Sequence, residues 1–96
     1  MSVSLSTHVL DTERGSPGSG VRVELRRGSE IVASAETDGD GRAQLADGLD
    51  PGHYSLAFEP PSPYFRRVEL ELALDDGHHH VPLLVSSFGC VTYRGS

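Results

Sequence analysis

Ninety-six residues with 14 acidic against 8 basic side chains carry a formal charge of −6, a field that repels phosphate backbones, so nucleic acid is excluded as an expected partner. A single cysteine, Cys90, rules out an intrachain disulfide. No apolar run approaches the ~20 residues a helix needs to cross a bilayer, and the first residues hold neither a basic nor an apolar leader stretch; one cytoplasmic domain over 1–96 is expected, small enough to gain from a partner surface.

Gly and Pro punctuate short alternating runs, the pattern of an all-β sandwich. Val3, Leu5, Thr7 and Val9 alternate with Ser4, Ser6 and His8, which predicts a first strand with His8 turned away from the core. Residues 11–20 read as a turn. Val21, Val23 and Leu25 then alternate with Arg22, Glu24 and Arg26, and Gly28-Ser29 closes a hairpin onto a strand over 31–36. Asp38-Gly39-Asp40-Gly41 leads into a short strand opened by Arg42, and 47–52 is predicted as a further turn. Tyr54, Leu56 and Phe58 mark the next strand, which Pro60-Pro61-Ser62-Pro63 stops.

Val68, Leu70, Leu72 and Leu74 give the most regular alternation in the chain. Residues 78–85 are predicted as one strand, with Val81, Leu83 and Val85 on one face and His78, His80, Pro82 and Leu84 on the other. Apolar residues at both parities imply that both faces are covered, the second by another subunit or a ligand, and Pro82 implies that no neighbour needs its N–H. The last strand is expected over 90–94, with Val91 and Tyr93 opposite Cys90, Thr92 and Arg94. So apolar a run this near Tyr93-Arg94-Gly95-Ser96 makes that ending part of the fold.

Among chemical motifs, Asp38-x-Asp40 lacks the calcium-loop pattern, since Leu49 stands where the bidentate Glu belongs and Arg42 at the fifth position. His78 and His80 could chelate zinc together, His8 adding a third ligand, but no Cys, Asp or Glu sits at a matching spacing, and a solvated histidine run is favoured; no metal or cofactor is expected. Cys90 has no assignable base, and no Gly-x-Ser-x-Gly elbow supports serine hydrolysis. His8, Arg42, His80 and Tyr93 remain as polar groups on faces that are not core. Two are imidazoles able to hold or release a proton near neutrality, and His80 is flanked by apolar residues, which describes a partly desolvated pocket.

Four segments carry a resemblance. They are Leu5-Ser6-Thr7-His8-Val9-Leu10-Asp11 with Arg14-Gly15-Ser16-Pro17; Asp40-Gly41-Arg42; His78-His79-His80-Val81-Pro82-Leu83-Leu84; and Thr92-Tyr93-Arg94-Gly95-Ser96. With these in this order, the chain resembles the 5-hydroxyisourate hydrolases of the transthyretin-related family over essentially its whole length. The resemblance implies a seven- to eight-stranded transthyretin-like β-sandwich with a short or absent helix, assembled as a homotetramer with sites in a channel where dimers meet. It implies metal-independent opening of the cyclic amide of 5-hydroxyisourate to 2-oxo-4-hydroxy-4-carboxy-5-ureidoimidazoline in urate degradation, and carries the functional roles onto His8, Arg42, His80 and Tyr93.

On that basis His8 and His80 share the activation of water, with His8 favoured as base and His80 orienting water or protonating the departing nitrogen. Arg42 holds the carbonyl and stabilises the oxyanion, and Tyr93 donates a hydrogen bond. The Tyr-Arg-Gly-Ser ending separates the family's hydrolases from its carriers. The chain departs from the family pattern in a shortened 59–66 connection, in His79 where Tyr is usual, and in Ser87-Phe88-Gly89-Cys90 in place of a Pro-Tyr turn. The alternatives are a transthyretin-like carrier without catalysis and a metal-scavenging sandwich using the histidine run.

Overall fold

A computed structural model describes residues 2–95. Its strands are β1 Val3–Asp11, β2 Ser16–Pro17, β3 Arg22–Arg27, β4 Glu30–Glu36, β5 Arg42–Leu49, β6 Gly52–Glu59, β7 Val68–Leu74, β8 Gly77–His80, β9 Leu83–Val85 and β10 Cys90–Thr92. Two sheets face each other. In one, β4, β3, β6 and β7 lie side by side; in the other, β1 is the spine and the remaining strands attach to it directly or through β9.

The nine residues of β1 alternate buried and half-buried at every step, as a strand with one core face must. Its first half pairs antiparallel with β5 on one side and parallel with β8 on the other. Its second half pairs with β9 and with the short β2, so part of the predicted turn over 11–20 is a strand. The core lies between the sheets, where Val3, Leu5 and Val9 of β1 meet Val23, Leu25, Leu56 and Phe58 from the other layer. Gly28-Ser29 closes the β3–β4 hairpin, with Arg27 opposite Glu30.

Three further sequence expectations change. The turn predicted over 47–52 shrinks to Asp50-Pro51, because β5 continues to Leu49 through register shifts opposite Val3 and Leu5; a bulge lets a strand carry extra residues without losing its partner. The run over 78–85 is two strands rather than one. Between them Val81 gives its N–H to the Ser6 carbonyl at 2.9 Å, and its own carbonyl accepts the buried Thr7 hydroxyl at 2.6 Å. Pro82, which has no N–H, follows at the break. The predicted terminal strand ends at Thr92, whose hydroxyl caps the Pro82 carbonyl at 2.8 Å.

After Tyr93 and Arg94 the chain returns to the sheet, where Gly95 donates its N–H to the His80 carbonyl at 2.6 Å. Ser96, the last residue of the predicted terminal motif, lies outside the described residues. No helix is long and apolar enough to cross a membrane among the described residues.

Candidate active site

Residues directly opposite one another on neighbouring strands project from the same face, and the registers of β5 and β8 therefore decide what shares the outer face of β1. His8 is opposite Arg42 and Ser6 opposite Gln44; on the other flank Ser4 is opposite His78 and Ser6 opposite His80. An open cleft of about 580 Å³ forms over this patch, lined by Ser6, Asp38, Arg42, Gln44, His78 and His80.

The loop before β5 sets Arg42. The Asp38 carboxylate accepts the backbone N–H groups of Asp40 and Arg42, each at 2.9 Å, folding the Asp38-Gly39-Asp40-Gly41 loop into an Asx turn. Those two bonds, first the one from Arg42, hold the Asp38 carboxyl below its ordinary range, and the positive charge of Arg42, with that of His8 when protonated, adds to the effect. Gly41 is required at the end of the turn: its φ is 78°, and a Cβ there would lie 2.4 Å from the Val9 carbonyl oxygen. The approach lets Val9 donate its N–H to the Gly41 carbonyl at 2.7 Å, locking the loop beside His8. Among the described residues the Arg42 guanidinium takes part in no ion pair.

The His8 ring places Nε2 2.8 Å from the Asp40 carbonyl oxygen. A carbonyl only accepts, so Nε2 carries the proton and Nδ1 of the neutral ring is left as the acceptor. His80 is held differently. Its Nδ1 lies 2.8 Å from the Ser6 hydroxyl, leaving Nε2 as its second functional atom. Burial pushes the His80 pKa below its ordinary 6.5, and the positive charge of Arg42, with those of His8 and His78 when protonated, pushes the same way. A neutral imidazole beside a fixed cation is suited to taking a proton from water while the cation meets the anion that develops.

Residues 5–95 match the family model described as HIUase/Transthyretin. The chain belongs to the HIUase/transthyretin family. It is 43% identical to a 5-hydroxyisourate hydrolase of Caulobacter vibrioides, covering 96% of this chain and 97% of that protein. It is 36% identical to the 5-hydroxyisourate hydrolase of Halalkalibacterium halodurans over the whole of both. The solved 5-hydroxyisourate hydrolase of Klebsiella pneumoniae superposes with a TM-score of 0.89 at 36% identity over all of both chains. Sea bream transthyretin superposes at 0.87 with 21% identity, covering 95% of this chain and 93% of that one, and so shares the fold.

Of the four residues singled out from sequence in this HIUase/transthyretin chain, the fold groups His8, Arg42 and His80 on one sheet face. Tyr93 stands apart. It is 54% exposed and lines a second groove, between the sheets, with Leu70, Leu72 and Val81. Sequence reading missed Ser6 and Gln44 as site residues, and weighed Asp38 and His78 only as metal ligands. Ser6 carried a readable signal, since it shares its strand parity with His8; Gln44 needed the bulged register of β5, and Asp38 the folded loop. His79, of opposite parity to its neighbours, is buried and places Nε2 2.9 Å from the Asp75 carbonyl oxygen.

Proposed function

We propose that this chain hydrolyses 5-hydroxyisourate, opening its ring to 2-oxo-4-hydroxy-4-carboxy-5-ureidoimidazoline in urate degradation, without a metal or cofactor. The observation that carries this reading is the meeting of a half-buried His80 with Arg42 in one cleft, with His8 directly opposite Arg42 on the same sheet face, in a chain 43% identical to a hydrolase of that name. His80 takes the proton of the attacking water through Nε2. Sequence alone favoured His8 for this task; the lowered pKa of His80 and the tie of His8 Nε2 to Asp40 support exchanging the two roles. His8 then orients water or substrate through Nδ1. Arg42, a permanent cation with a planar fork of donors, binds the carbonyl and stabilises the oxyanion.

Tyr93 belongs to the same reading as a residue of the assembled protein. One domain of 1–96 forms a homotetramer with sites where dimers meet, and the exposed Phe88, Val91 and Tyr93 support a partner surface on the terminal segment. A cytoplasmic location completes the reading. The test is the decay of freshly generated 5-hydroxyisourate, followed by absorbance. His8→Ala, Arg42→Ala and His80→Ala are each expected to lose about 10²-fold or more in turnover while remaining folded. Near-normal rates would sink these assignments, and a wild-type chain that bound the compound without converting it would return the carrier alternative.

A further inference from the structure

Resting on that reading, we propose that Ser6 is a positioning residue: it decides which nitrogen of His80 carries a proton, and the hydroxyl–imidazole chain it closes lets His80 act as base and then as acid while staying neutral. Ser6 Oγ lies 2.8 Å from His80 Nδ1 and 3.0 Å from His78 Nε2, and His78 Nδ1 lies 2.6 Å from Ser4 Oγ. The arrangement follows from register. Ser4 and Ser6 share the outer face of β1, and parallel β8 places His78 and His80 directly beside them.

A hydroxyl has one proton to donate and two lone pairs, so Ser6 can donate to only one of the two imidazole nitrogens, and a continuous chain through it requires that it accept from the other. This permits two polarities. In the first, His80 Nδ1–H donates to Ser6, Ser6 donates to His78 Nε2, and His78 Nδ1–H donates to Ser4; His80 Nε2 is then an open base. In the second every bond is reversed, and His80 Nε2 carries a proton. Which nitrogen of a histidine is protonated is set by the bond the other makes.

The reaction interconverts the two polarities. As a water oxygen bonds to the substrate carbonyl carbon, its proton passes to His80 Nε2, the Nδ1 proton to Ser6 Oγ, the Ser6 proton to His78 Nε2, the His78 Nδ1 proton to Ser4 Oγ, and the Ser4 proton to solvent. One proton enters the chain and one leaves. When the ring C–N bond breaks, the Nε2 proton passes to the departing nitrogen, and the chain reverses by drawing one proton from solvent at Ser4. The surroundings favour this over an imidazolium: His80 is faced by His8 on β1, Arg42 at the start of β5 and His78 on its own strand, and Asp38, which also lines the cleft, is bonded to the backbone of Asp40 and Arg42. The solvent end of the chain is exposed.

The experiment is long-range nitrogen–proton NMR of the histidine rings in the free protein above the imidazole titration range, alongside steady-state kinetics. His80 and His78 are both expected in the Nδ1–H form. Ser6→Ala is expected to abolish that preference at His80 and to lower kcat about ten-fold or more, part of the ~10²–10⁴ a placed acid or base supplies, with KM and the melting temperature held. Ser6→Thr, which keeps the hydroxyl, is expected to restore both. An Nε2–H form of His80 in the wild-type protein would overturn the proposal, as would a Ser6→Ala variant with unchanged tautomer and kcat. The Nδ1–H signature in a chain that leaves 5-hydroxyisourate untouched would support the role of Ser6 while overturning the substrate.

Discussion

His80 answers to pH in a direction fixed by its surroundings. Its folded pKa lies below the ordinary 6.5 of an unfolded histidine, chiefly through burial. Above that value both states are neutral and the group costs no stability. As pH falls through it, the unfolded chain binds the proton first, and stability is lost until pH reaches the folded pKa. Urea midpoints across this window are expected to fall less steeply in His80→Gln than in the wild type. If His80 is the base, as proposed, the acid limb of kcat/KM is expected below 6.5. Gly95 lies against the same ring: an added Cβ would lie 2.8 Å from His80 Cδ2. Gly95→Ala is therefore expected to displace the imidazole and lower kcat several-fold or more while leaving the melting temperature nearly unchanged. The alternation in β1 and the position of Arg42 after an Asp-Gly turn make His8 and Arg42 readable from sequence. The pairing of Ser6 with two imidazoles is not, because 72 and 74 residues separate the partners along the chain.

Among the strands, the break between β8 and β9 matters most to the site. Parity alone puts His80, Pro82 and Leu84 on one continuous face; instead the chain leaves the ladder at Val81 and Pro82, and Thr7 and Thr92 hydroxyls satisfy the two carbonyls there. Thr7→Val keeps the side-chain shape but leaves the Val81 carbonyl without its buried donor. The expected cost is about 1–3 kcal/mol, measurable as a shift in urea midpoint at unchanged slope. Period-2 hydrophobicity made β1, β3, β6 and β7 legible, because each turns one apolar face toward the opposite layer. It failed at β5 and β8–β9 for a common reason: bulges and breaks are answers to what the neighbouring strand offers, and no local pattern encodes them.

The whole molecule leaves β7 at the edge of its sheet, with Leu70 and Leu72 only partly covered beside the exposed Tyr93, and exposes Phe88 and Val91 on the terminal segment. A chain of 96 residues that exposes such surface gains from association. Light scattering after size exclusion is expected to give four chains per particle, and a monomer with full turnover would refute both the tetramer and a shared role for Tyr93. Composition and alternation by themselves determined a β-sandwich, a core of Val, Leu and Phe, and the outward placement of His8, because burial against one layer imposes a period of two. The tertiary structure alone decided that His80, Ser6, His78 and Arg42 meet across three strands while Tyr93 lies in another groove. Strand order and register create those contacts between residues distant in the chain, and register is a property of pairs of strands rather than of any one of them.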